Sequence, residues 1–79
     1  MNWRDHIDAD PEILAGKPVV KGTRLAAEFI LGLLGAGWTK EQILANYPTL
    51  TPEGLQAVFA FAADSLQDES LYSLRLRTA

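Results

Sequence analysis

Residues 39–55, TKEQILANYPTLTPEGL, hold two helix starts and one helix stop within seventeen positions. Thr39-Lys40-Glu41-Gln42 has the form of a capping box, in which the threonine hydroxyl takes an orphan amide and Gln42 reaches back to the cap. Ile43, Leu44 and Tyr47 give the helix that follows its apolar face. Pro48 disfavours the helical conformation at Tyr47 and so ends it. Thr51-Pro52-Glu53 then supplies an N-cap, a proline at the first helical position and an acid in the first turn, which together open another helix. Helix, short turn, helix is the reading that decides the fold class.

Upstream, Ala26 to Ala36 reads as a first helix with Glu28 its only charge, apolar nearly all round, and Gly37 suits the residue just past its end. Phe29, Ile30, Leu33 and Leu34 cannot all face one core, so a second chain is expected to cover part of this helix. Downstream, Leu55, Phe59, Ala62 and Leu66 fall within about 60° of arc at ~100° per residue and are the expected core stripe of the third helix. Val58 and Phe61 lie on its flank, and Phe61 is either peripheral core or a contact with another chain. Before residue 26, Pro11, Gly16, Pro18 and Gly22 break any helical period, and Val19-Val20 suits a short strand. Trp3, Ile7 and Ile13 are the expected anchors of this arm. The chain therefore divides into an extended or β arm (1–25), a three-helix bundle (26–67) and a C-terminal tail (68–79), a mainly α fold.

A chain of 79 residues buries only roughly 60 % of the surface its unfolded form exposes, which leaves little room for a catalytic cleft. There is no cysteine and one histidine, His6, so thiolate and most zinc chemistry are excluded. The first residues lack the order of a signal peptide, and no apolar run reaches the roughly 20 residues that span a bilayer, so a cytoplasmic address without membrane attachment is expected. A hydrophobic share of 48% on so short a chain points to an oligomer or a partner.

The candidate chemical motifs fail one by one. The run from Gly16 to Thr23 lacks the lysine that a phosphate loop places directly after its second glycine, and Pro18 removes a cradling amide. Asp8, Asp10 and Glu12 alternate like early calcium ligands without the loop glycine or the distant glutamate; Asp10 before Pro11 reads more simply as a turn. His6 has no nucleophile to activate. No enzyme activity and no cofactor are expected.

Asp10-Pro11-Glu12-Ile13, then Gly16-Lys17-Pro18-Val19-Val20-Lys21-Gly22-Thr23-Arg24-Leu25, and further on Gly37, Glu41-Gln42-Ile43-Leu44 and Tyr47-Pro48-Thr49-Leu50-Thr51 resemble the domain of unknown function 433 family (DUF433) over about residues 7 to 66. The resemblance implies a homeodomain-like three-helix helix-turn-helix with a small extended arm. It also implies the role of a VapB-like antitoxin paired with a PIN-like ribonuclease toxin. The uncovered side of the first helix points to a homodimer, or to a hetero-oligomer with that partner.

The net charge of −3 speaks against a phosphate-tracking surface. Lys17, Lys21 and Arg24 nevertheless cluster within eight residues and are the candidate nucleic-acid contacts. Operator DNA, an acidic toxin surface or the chain's own acids are all open to them. The start of the third helix, where a recognition helix would read bases, offers Thr51, Glu53, Gly54 and Gln56 with no cation. Partner contacts are expected at Phe29, Leu33 and Phe61, and in the tail at Leu74, Arg75, Leu76 and Arg77. There leucines and arginines alternate, and guanidinium forks suit the carboxylates of a ribonuclease site; a tail that merely balances Asp68 and Glu69 is the other reading. The expected function is toxin neutralisation, with a stand-alone DNA-binding regulator as the alternative.

Overall fold

The structure, a computed structural model, describes residues 1–67. A 3-10 turn, Trp3–Asp5, leads into strand β1 (Ile7–Asp8); a second such turn, Leu14–Gly16, leads into strand β2 (Val19–Val20). Helices α1 (Ala27–Gly35), α2 (Lys40–Asn46) and α3 (Pro52–Ser65) follow. The result is mostly helical, three helices with one small antiparallel sheet in the arm. The tail positions Leu74, Arg75, Leu76 and Arg77 lie outside the described residues.

Local chemistry sets the helix limits where the sequence placed them. Past α1, Gly37 takes φ +98°. Its N–H donates to Leu34 O at 3.0 Å and that of Trp38 to Leu33 O at 3.0 Å, the two-bond Schellman closure. Thr39 begins the next cap at once: Gln42 N–H donates to Thr39 Oγ1 at 3.1 Å, and Thr39 N–H to Gln42 Oε1 at 2.8 Å. Tyr47, ahead of Pro48, leaves helical geometry and caps α2. Gly54 N–H donates to Thr51 Oγ1 at 3.0 Å to open α3. Such side-chain caps are worth about 1 kcal/mol each. The seven residues of α2 need this help, being well short of the ~12 that an isolated helix requires.

The arm is stitched to the helices by its backbone. Ile7 pairs with Val20 and Asp8 with Val19, while Val19 also bridges to Ala26 and Ala27 N–H donates to Pro18 O at 2.9 Å. Ile7 enters the core, Trp3 packs against it, and Ile13 is half-buried. Glu12 N–H donates to Asp10 Oδ1 at 2.9 Å, the turn expected at Asp10-Pro11. Between the strands, Leu14, Ala15 and Gly16 all take positive φ, +50°, +56° and +84°. A left-handed turn costs about 1–2 kcal/mol for each non-glycine residue in it, so the arm carries strain there.

One packing expectation is overturned. The core consists of Ile7, Val20, Ala27, Ile30, Ile43, Leu50, Leu55, Ala57 and Val58, so α3 buries Gly54, Leu55, Ala57 and Val58 rather than the stripe Leu55, Phe59, Ala62 and Leu66. The true face is turned by about a quarter of a revolution at ~100° per residue. Val58, expected on the flank, is fully buried, whereas Leu66 is 64% exposed. The cause is steric. The arm crosses α3 at Gly54, where a Cβ would stand only 2.9 Å from Val20 Cγ1. Small residues, not the largest apolar ones, let β2 approach, and that contact fixes the rotation of the helix.

Candidate interaction surfaces

Helix α1 buries Ala27 and Ile30 and turns Glu28, Phe29, Gly32, Gly35 and Ala36 outward. At ~100° per residue Gly32 is the centre of that outward arc, with Leu31 and Leu33 on its borders, both half-buried. A surface helix ordinarily points charges at water; here the outward arc has one, Glu28. Phe29 is 43% exposed and touches Tyr47 edge-on, ring centres 5.7 Å apart. A Cβ on Gly32 or Gly35 would meet nothing within 4 Å. Each glycine inside a helix costs about 1 kcal/mol relative to alanine, and no contact within the described residues explains either.

The three arm cations are not equivalent. Lys17 Nζ donates to Glu28 Oε1 at 2.6 Å, the one ion pair among the described residues, with both side chains more than half exposed. Exposed pairs of this kind contribute at most about 1 kcal/mol, yet this one neutralises the only charge on the α1 arc. Lys21 and Arg24 are exposed and flank the turn at Gly22. That turn is closed internally, Thr23 N–H and Oγ1 both donating to Val20 O.

Between α2 and α3 lies an open groove of about 270 Å³ lined by Lys40, Glu41, Leu44, Pro52, Leu55, Gln56 and Phe59. Phe59, expected in the core, is half-buried: it packs against the core cluster and also lines this groove. Its outward tilt follows from the rotation of α3. Glu53 and Gln56 are exposed on the same helix, and Gly54 is buried against β2.

Phe61 lies at the other end of α3, where Trp3 covers it edge-on at 5.0 Å between ring centres. The Trp3 indole N–H donates to Asp64 Oδ2 at 2.5 Å, and the Arg4 guanidinium stands 4.4 Å from the centre of the Trp3 ring. Phe61 is thus partly covered by its own arm. The clamp escapes sequence reasoning, although a part-buried tryptophan calls for an acceptor; sixty-one positions separate the two partners, so nothing local signals it. Among the described residues no three His, Asp or Glu side chains could together hold a metal ion, and no helix is long and apolar enough to cross a membrane.

The family model described as a protein of unknown function (DUF433) matches residues 7–62, leaving Trp3, Arg4 and Asp64 outside the matched span. The chain is 32% identical over 59 residues to the uncharacterized protein y4eO of Sinorhizobium fredii (strain NBRC 101917 / NGR234). That alignment covers 75% of this chain and 27% of the relative, so the chain spans about a quarter of the relative's length. No solved structure matches it.

Proposed function

The chain belongs to the DUF433 family, and from that premise we propose that it is a protein-binding module, the antitoxin that neutralises a PIN-like ribonuclease toxin. The observation that carries this reading is the groove between α2 and α3. Its mixed lining, with Leu44, Leu55 and Phe59 beside Lys40, Glu41 and Gln56, suits a protein contact in which one or two anchoring side chains fill a pocket with polar groups around it. On this reading α1 to α3 form a homeodomain-like helix-turn-helix used as a scaffold, and the groove replaces base reading as its working surface.

The electrostatics favour a protein partner over DNA. At the start of α3, where a recognition helix would approach DNA, the exposed residues are Thr51, Pro52, Glu53 and Gln56, with no cation among them, and a carboxylate there repels a polyanion. Autoregulatory operator binding would fall to Lys21 and Arg24, since Lys17 is already paired. The stand-alone regulator draws on the same two cations and on the helix-turn-helix reading of α1 to α3.

Co-expression with a PIN-like ribonuclease encoded beside the gene, followed by an RNA-cleavage assay on the purified complex, tests the proposal. A stable complex with cleavage suppressed is the expected result, and Phe59→Glu should release the activity. A ribonuclease that neither co-purifies nor loses activity would refute it, and sequence-specific DNA binding by the isolated chain would then favour the regulator.

A further inference from the structure

Among the described residues the outward arc of α1 is left largely uncovered: it exposes Phe29, contains two glycines and carries one charge that Lys17 has neutralised. We propose that this arc is the docking surface for a second copy of the chain, paired antiparallel about a two-fold axis that passes by Gly32. The inference rests on the shape and charge of α1 and does not depend on the toxin reading, which concerns the groove between α2 and α3.

Three features specify the occupant. A two-fold axis at Gly32 maps each position onto the one equally far beyond it, so Gly32 faces Gly32, Phe29 faces Gly35 and Glu28 faces Ala36. The bulkiest residue of the arc meets a position with no side chain, twice by symmetry, as an isologous contact requires. With hydrogen atoms alone at the axis, the two backbones can approach closely, which accounts for helix glycines that no contact among the described residues explains. Antiparallel pairing also sets the positive end of each helix against the negative end of the other. Glu28 arrives there with Lys17 attached, so each copy brings an ammonium to its partner's helix C-terminus rather than a bare carboxylate.

Two nine-residue helices, each about 13 Å long at the α-helical rise, make a small contact. Dissociation in the micromolar range is therefore expected. Sedimentation equilibrium of the full chain across that range tests the proposal. Gly32→Leu meets open space in the protomer and raises helix propensity, so the fold should survive by circular dichroism while self-association weakens by roughly tenfold or more. Phe29→Ala and Gly35→Phe should each weaken it singly, the first by removing the ring and the second by overfilling its seat. Combined, they move the ring across the axis and should restore pairing. A wild-type chain that stays monomeric at roughly millimolar concentration, a Gly32→Leu chain that associates as wild type does, or a double variant no better than its singles would each overturn the proposal. Loss of toxin neutralisation with the dimer intact would fall on the groove reading alone.

Discussion

At Gly54 a single methyl group would stand 2.9 Å from Val20 Cγ1 and 3.3 Å from both Leu50 Cδ1 and Thr51 Oγ1. Valine is short and stiff, so β2 itself would have to retreat. Gly54→Ala should gain about 1 kcal/mol of helix propensity and lose about 1–3 kcal/mol to overpacking, for a net fall in the urea midpoint. A midpoint at or above wild type would show that the arm yields easily. Ala15 presents the reverse case. Its φ of +56° is costly for alanine and cheap for glycine. Ala15→Gly should relieve about 1–2 kcal/mol of strain against about 0.5–1 kcal/mol of added chain entropy. A rise of about 0.5–1 kcal/mol in denaturant-derived stability is expected, and a fall would mean that packing of the Ala15 methyl outweighs its backbone strain. At the Trp3 clamp, Asp64→Ala removes the acceptor of the indole N–H. The expected loss is about 1 kcal/mol, with Trp3 emission shifting to the red when Trp38 is replaced by Phe; unchanged emission would place the hold on Trp3 with Phe61 alone.

Among the elements, α2 is the one most dependent on its ends. Thr39→Ala removes the hydroxyl from the capping box, and about 1 kcal/mol of stability should go with it, read as a lower unfolding midpoint. Because α2 holds Ile43, which is fully buried, a loss well under that figure would mean that core packing alone orders the helix. The caps were legible in the sequence since each joins residues three positions apart: Thr39 with Gln42, and Thr51 with Gly54. The rotation of α3 was not. Its apolar residues encircle much of the helix, and the choice of buried face depends on where β2 crosses, some thirty positions earlier in the chain. The same rotation leaves Phe59 at the edge of the core, where it also lines the groove, so the groove could not be found by counting periods. The apolar surplus on α1 could be read in advance, but Ile30 had to be separated from Phe29 by the structure, since the packing of the arm and the other helices decides which side of α1 is closed.

For the whole molecule, the arrangement separates a helix face on α1 from a groove on α2 and α3, and leaves the tail as a third candidate for contact with a toxin. Truncation after Glu69 distinguishes the tail from the groove: neutralisation of the ribonuclease should persist if the groove is the inhibitory surface, and its disappearance would assign inhibition to the segment containing Leu74, Arg75, Leu76 and Arg77. The joint between α1 and α2 has a consequence for geometry. Trp38 completes the Schellman closure and its neighbour Thr39 opens the capping box, so the backbone amides of both are already engaged. Such a coupling leaves no slack between the two helices. In a pair of chains it would hold the two grooves at a set spacing and orientation, like the jaws of a caliper. A target that itself presents two identical sites at that spacing would be gripped twice, the second grip at the high effective concentration that tethering provides, while a target of any other spacing would be held by one jaw only.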